Sequence, residues 1–175
     1  MLRKHQVPRA IILDSFQSAD AKILNKIQNQ SQDRKLAMAF SLPVSDCSTE
    51  EWLQMRLKKL EKFPSNVYWA LRDEQKTLLG YSVLYNIDYI NSNAEIGVYL
   101  ADGRRSGLGT QALTLTLVKA FDDLGLHKVL ARVVDSNVAA VRLFERLGFK
   151  QEGKITEFIK ISGYWQSLCL YTKLE

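Results

Sequence analysis

Arg104-Arg105-Ser106-Gly107-Leu108-Gly109 lies between a strand-like run, Ala94 to Ala101, and a helix-like run, Thr110 to Gly125. Two glycines let the backbone turn tightly and leave its N–H groups bare, just where a helix starts with unpaired N–H groups and the positive end of its dipole. Such a turn cradles an anion. The two arginines before it suit a polyphosphate, because guanidinium groups add bidentate hydrogen bonds and a charge that does not titrate away.

Two rival readings share these residues. Gly107-x-Gly109-x-x-Ala112 also satisfies the dinucleotide-binding fingerprint, with Asp135 at the end of the next strand-like run in the place of a ribose-binding acid. A dinucleotide turn, however, follows its strand at once and opens a long doubly wound sheet, whereas here Asp102 to Ser106 intervene and little chain follows. The other rival is an ordinary strand-to-helix turn with solvated arginines. Downstream residues weigh between them. Val129 to Val134 reads as a short buried strand, Asp135-Ser136-Asn137 as a helix start, and Val138 to Leu147 as a helix with Val141, Phe144 and Leu147 at helical spacing, stopped by Gly148.

Arg104-x-x-Gly107-x-Gly109 resembles the pyrophosphate-binding signature Gln/Arg-x-x-Gly-x-Gly/Ala of the GNAT superfamily of acetyl-CoA-dependent N-acetyltransferases. Asn137-x-x-Ala140-x-x-Leu143-Phe144-x-x-Leu147-Gly148-Phe149 resembles the second block of the same enzymes, in the same order and at a compatible distance. The tail, from Glu152-Gly153-Lys154 through Gly163-Tyr164-Trp165 to Leu170-Tyr171, is similar to the closing strands of the branch holding the RimJ/RimL-like ribosomal-protein, spermidine and aminosugar acetyltransferases. The resemblance runs from about Leu79 to Leu174. It implies an α/β (α+β) fold: one GNAT-like domain over residues 1–175, with a mixed central sheet of about six or seven strands flanked by helices on both faces.

Composition agrees with one domain. A chain of 175 residues with 46% apolar residues can bury a sizeable core, and no linker, low-complexity tract or internal repeat is visible. Apolar runs such as Ala10 to Leu13 are too short to span a membrane and Met1 to Ala10 lacks a signal-peptide core, so a cytoplasmic protein is expected. Cys47 and Cys169 read as unpaired thiols, and neither they nor His5 and His127 have metal-ligand spacing, so no metal is expected. The net charge of +5 raises a basic nucleic-acid-binding module as an alternative. Its positive residues are scattered, however, and the run Lys58-Lys59 with Lys62 is balanced by Glu50, Glu51 and Glu61. A non-catalytic CoA- or dinucleotide-binding domain is the remaining alternative.

Along the chain, Arg9 to Leu13 reads as a first strand and Asp20 to Gln30 as a helix with Ala21, Leu24 and Ile27 on one side. Ser48-x-x-Glu51 is a capping box opening a helix through Lys62, carrying Trp52, Met55 and Leu60 and ended by Pro64. Val67 to Arg72 and Leu78 to Ile87 form a hairpin across Asp73-Glu74-Gln75, with Tyr81, Val83, Tyr85 and Ile87 on one face. On the strand Ala94 to Ala101, Ile96, Val98 and Leu100 share one face and Glu95, Gly97 and Tyr99 the other. In the next helix Leu113, Leu117, Phe121 and Leu124 form a stripe facing the sheet.

The resemblance also implies the chemistry. Acetyl-CoA is the cosubstrate, its pyrophosphate held by Arg104, Arg105, Ser106, Gly107, Leu108, Gly109 and Thr110 and its pantetheine arm laid along the strand edge at Val98, Tyr99 and Leu100 like an added strand. Asn137 and Phe144 complete the cofactor contacts; Asn137 also suits a helix N-cap. A neutral primary amine attacks the thioester directly, on an aminosugar, free or nucleotide-linked, or on a protein N-terminus. Glu95 is the candidate base, or one half of a structural ion pair. Many relatives carry Tyr where this chain has Phe144, which has no proton for the departing thiolate, so Ser136, Tyr164 and Tyr99 are the candidate donors, beside water. Phe40 to Ser48, Tyr85 to Ile90, Glu157 and Tyr164 are candidate acceptor contacts. Asp88 and Glu157 suit a cation; Tyr81, Tyr85 and Trp165 suit a stacked ring. A homodimer is compatible with this reading.

Overall fold

The computed structural model describes residues 10–29, 44–58, 62–101 and 107–175. Seven strands form one sheet: β1 (Ile12–Asp14), β2 (Val67–Arg72), β3 (Leu78–Asp88), β4 (Asn93–Leu100), β5 (Lys128–Val134), β6 (Lys150–Ile161) and β7 (Tyr164–Leu174). Their order is β1-β2-β3-β4-β5-β7-β6, and every neighbouring pair is antiparallel except β4 and β5. A sheet with a single parallel pair is not a doubly wound nucleotide fold, which removes the structural premise of the dinucleotide reading.

Helices cover both faces, as the sequence led us to expect. Leu24 and Ile27 of α1 (Ala21–Asn29) and Leu53 of α2 (Asp46–Leu57) pack with Phe16, Ala70 and Tyr81 on one side. On the other, Leu113 and Leu117 of α3 (Leu108–Val118) and Phe144 of α4 (Val138–Arg146) join Leu84, Ile96, Val129, Ala131 and Val133. The α3 helix continues through a π-helical turn, Lys119–Asp123, in which Ala120 is buried. Inside α3, Thr116 Oγ1 donates to the Ala112 carbonyl and lies 2.8 Å from Ser82 Oγ, so its buried hydroxyl is satisfied.

Local chemistry moved several expected boundaries. The first strand is shorter and later than Arg9 to Leu13, since it pairs Ile12–Asp14 with Arg72–Ala70; Arg9 lies outside the described residues. Ser48 does not open α2. Ser45 does, its side chain accepting from Ser48 N at 3.0 Å, so the helix begins one turn earlier, and it ends at Leu57 rather than Lys62. Ile87 leaves the face of Tyr81, Val83 and Tyr85, because β3 carries one extra residue between its Tyr85–Glu95 and Asp88–Asn93 pairs. Asn86 takes φ +49° at this bulge, and Ile87 turns to the opposite core beside Leu84.

A buried ion pair ties the N-terminal segment to the sheet. Arg72 is 2% exposed and makes a bidentate contact with Asp20, Nη1 to Oδ1 at 3.1 Å and Nη2 to Oδ2 at 2.8 Å. Its nitrogens also donate to the Ser15 and Lys76 carbonyls, while Nε lies 3.3 Å from Asp14 Oδ2 without hydrogen-bond alignment. Asp20 in turn accepts from Gln17 N at 2.7 Å. Removing one partner leaves the other charge buried and unmatched, which costs about 3–5 kcal/mol. Asp20→Asn or Arg72→Met should therefore lower unfolding free energy in denaturant titrations by that amount, whereas Lys119→Ala, which breaks the exposed Lys119–Asp123 pair, should cost under about 1 kcal/mol. A loss below about 1 kcal/mol for Arg72→Met would contradict this account.

Candidate active site

The parallel pair is short. β4 and β5 match at Asn93–Lys128, Ala94–Val129 and Glu95–Leu130 and nowhere further on. Beyond that point β4 runs to Leu100 held only by β3, and β5 runs to Val134 held only by β7. The sheet opens between them. Ala101 N donates to Leu79 O at 2.7 Å, so by strand alternation the backbones of Tyr99 and Gly97 face β3 and those of Val98 and Leu100 face the opening. An interior strand edge of this kind offers its N–H and C=O groups to any extended ligand that carries amides.

Two helix starts stand at the wide end of the opening. Gly107, at φ +80°, is the N-cap of α3, with no side-chain cap and no acidic residue in the first turn; a residue with a Cβ is strained in that left-handed conformation. The first-turn N–H groups of Leu108, Gly109 and Thr110 are thus available to an anion. Arg104, Arg105 and Ser106 lie outside the described residues. On the β5 side, Asn137 caps α4, its Oδ1 accepting from Ala140 N at 3.2 Å, and Ser136 is exposed in the preceding turn. Phe144 points into the core, 6% exposed, with its ring edge-on to Phe149 at 5.0 Å.

Glu95, Gly97 and Tyr99 share the α1/α2 face with Tyr85, Val83 and Tyr81, their partners across β3. Tyr99 stacks on Tyr81 at 4.7 Å, and Tyr85 Oη donates to Tyr99 Oη at 3.2 Å. To reach it, the Tyr85 ring crosses Gly97, where an added Cβ would lie 3.1 Å from Tyr85 Cε2. Gly97 therefore clears a path for that ring. Burial pushes the phenol pKa values of Tyr85 and Tyr99 upward, so both stay protonated at neutral pH. Glu95 accepts from Arg132 Nε at 2.6 Å and from Asn86 Nδ2 at 3.1 Å, an ion pair that bridges the seam where β4 and β5 part.

Other expected contacts are not brought to the opening. Tyr164, 75% exposed, starts β7 four residues before Leu168, the partner of Val134. That distance puts it about 13 Å past the end of β5. Trp165 lies on the same overhang beneath Lys160, and Glu157 sits exposed at φ +49° where β6 bulges. Asp88 is a turn carboxylate: its Oδ2 accepts from the Asn91 side chain and its Oδ1 from the Asn91 and Ile90 N–H groups, and the Asn91 bonds hold its pKa below the usual range. Phe40 to Pro43 lie outside the described residues. Sequence reasoning included Asn86 in the stretch Tyr85 to Ile90 but did not find Arg132, Tyr68 or Arg56 on this face. Strand periodicity assigns faces within a strand, but neighbours across strands need the register, and Arg56 needs the placement of α2.

Comparison with known proteins agrees with this geometry. The model of the acetyltransferase (GNAT) domain matches residues 10–150. A spermidine N(1)-acetyltransferase of Vibrio cholerae is 33% identical over 101 residues, which cover 57% of this chain and 58% of that protein, so the aligned stretch spans under two thirds of the relative's length. An L-methionine sulfoximine/L-methionine sulfone acetyltransferase of Pseudomonas aeruginosa is 27% identical over 151 residues, 86% of each chain. In fold, the crystal structure of the Vibrio cholerae spermidine N-acetyltransferase with CoA and spermine superposes with a TM-score of 0.84 at 24% identity, covering 94% of this chain and 95% of that one. With the family match running from the first strand to the start of β6, across both the opened seam and the helix start beside it, the chain belongs to the acetyltransferase (GNAT) domain family.

Proposed function

We propose that this chain transfers the acetyl group of acetyl-CoA to a primary amine by direct attack. The observation that carries the reading is the seam: β4 and β5 part after Glu95 and Leu130, leaving Val98 and Leu100 without a partner on the β5 side, near the uncapped start of α3. The backbone of Val98 and Leu100 would pair with the pantetheine amides, and the first turn of α3 would hold the pyrophosphate. Val98 N–H can steady charge developing on the thioester oxygen without a specialised side chain. The spermidine N(1)-acetyltransferase reported above acts on an amine, which supports an amine acceptor here.

The acceptor would approach on the face of Tyr85, Tyr99 and Glu95. Glu95 spends one contact on Arg132 and one on Asn86, and a carboxylate has about four acceptor sites, so sites remain for an ordered water that takes the amine proton. Tyr99 is the hydroxyl we assign to the departing thiolate, because it stands on β4 itself and its Oη accepts from Tyr85, which leaves its own proton free to donate. Ser136, at the start of α4, is the exposed alternative donor. Phe144 serves as a wall.

Gly107→Asp tests the cradle. An added Cβ at Gly107 meets nothing within 4 Å but is strained at φ +80°, so the variant should lose some stability, read from its melting curve, while keeping its fold, and its charge repels the phosphates. Titration calorimetry should show CoA affinity down by at least about tenfold, the equivalent of 1.4 kcal/mol, and no binding of NAD by the unmodified protein. Undiminished CoA binding in the variant places the site elsewhere.

Glu95→Gln tests the base. With an accepted amine, kcat/KM should fall by roughly a hundred-fold, and the loss should shrink as pH rises towards the amine pKa, where more acceptor arrives already neutral. If Glu95 only ties β4 to Arg132, the variant should melt earlier and keep a pH profile parallel to that of the parent protein.

A further inference from the structure

Arg56 stands apart from the other charged groups on the acceptor face. Its guanidinium lies 4.6 Å from the centroid of the Trp52 ring and 4.6 Å from that of Tyr68. Nη1 donates to the Trp52 carbonyl at 3.4 Å and Nη2 to Tyr68 Oη at 3.3 Å. A guanidinium has five N–H donors, of which these two bonds use two among the described residues, and stacking on two rings fixes the direction of the fork. No carboxylate pairs with Arg56 among the described residues. Elsewhere on this face charge is matched: Glu95 by Arg132, and Asp20 by Arg72.

The rings connect this cation to the opened seam. Tyr68 meets Tyr85 edge-on at 6.0 Å, and Tyr85 crosses Gly97 to bond Tyr99. In register, Tyr68 lies opposite Val83 and Val83 opposite Gly97. Two strand spacings, about 10 Å, therefore separate Tyr68, the ring under Arg56, from β4. A polycation meets the Arg56 charge here, while an acceptor with a remote anion meets a preset partner.

Resting on the acetyltransferase reading above, we infer that Arg56, held between Trp52 and Tyr68, selects acceptors whose primary amine carries a carboxylate or phosphate at its far end. The occupant is a small anionic amine, such as a lysine-like or sugar-phosphate-like molecule, and not a polyamine. Arg56 is a specificity-determining residue here, remote from the reacting atoms.

Matched pairs of amines test it on the full chain with acetyl-CoA, reading released thiol: lysine against cadaverine, and glucosamine 6-phosphate against glucosamine, with spermidine alongside. The anionic member of each pair should show kcat/KM at least about tenfold higher, the usual size of a hydrogen bond to a charged group. Arg56→Gln should remove that advantage through KM, leaving kcat, the neutral amines and the KM for acetyl-CoA unchanged. Arg56→Lys should restore only part of it, since an ammonium lacks the planar fork. A preference for spermidine or cadaverine, or an Arg56→Gln effect shared equally by both members of a pair, would overturn the assignment. So would the absence of turnover with all five amines; the acetyltransferase reading falls with it only if CoA titration also fails.

Discussion

Three paired positions between β4 and β5, and their parting after Glu95 and Leu130, are the constraint on which the rest of this molecule depends. Parallel strands closing a sheet normally keep pairing, because an interior backbone group left without a partner costs free energy. Here β3 fixes β4 on one side and β7 fixes β5 on the other, each along nearly its whole length, so the two halves are held without needing each other at the wide end. The edges left open are usable backbone. What would be a defect in a closed sheet is, on the function proposed here, a slot for an extended, amide-bearing ligand, with α3 and α4 both starting beside it.

Around the slot, packing fixes which groups are presented. The core of α3, α4 and the central strands buries Phe144 and Leu113 and leaves no polar atom of Phe144's position to do chemistry. On the other face, the row Glu95, Gly97, Tyr99 alternates a charge, a gap and a phenol, and the gap lets Tyr85 lean across. Trp52 and Tyr68 continue that surface edge-on to each other, and the buried rings of Phe16 and Tyr81 back them from the core. Rings locked by neighbouring rings lose little entropy on binding, so such a wall is preorganised. The Arg72–Asp20 pair holds the N-terminal segment, and through it α1, against this half of the sheet.

Much of the fold was legible before the structure. The alternation along Ala94 to Ala101 put Glu95, Gly97 and Tyr99 on one face, and the register with Tyr85, Val83 and Tyr81 does the same. Helix starts read from Asn137 and stops read from Gly148 follow backbone chemistry that is local, and so they carry through. Features set by distant partners did not. Nothing near Ile87 announces that one extra residue in β3 will reverse its face, because a bulge is defined against the opposing strand. Ser45 and Ser48 are both good N-caps, and which of them opens α2 is decided in context. Tyr164 reads like a site residue until the length of the β6–β7 hairpin carries it beyond β5, and the ion-pair partner that Glu95 could have is not identified as Arg132 until the register of β4 and β5 is known.

The central claim is that the opened seam is where CoA lies, and backbone amide spectra of the labelled protein during a CoA titration test it most directly. Val98 and Leu100, whose N–H groups face the opening, should shift most and gain protection from exchange, together with Leu108, Gly109 and Thr110 at the start of α3. Shifts centred elsewhere, for example on the exposed side of α2 from Cys47 to Lys58, with Val98 and Leu100 unmoved at saturation, would contradict the account.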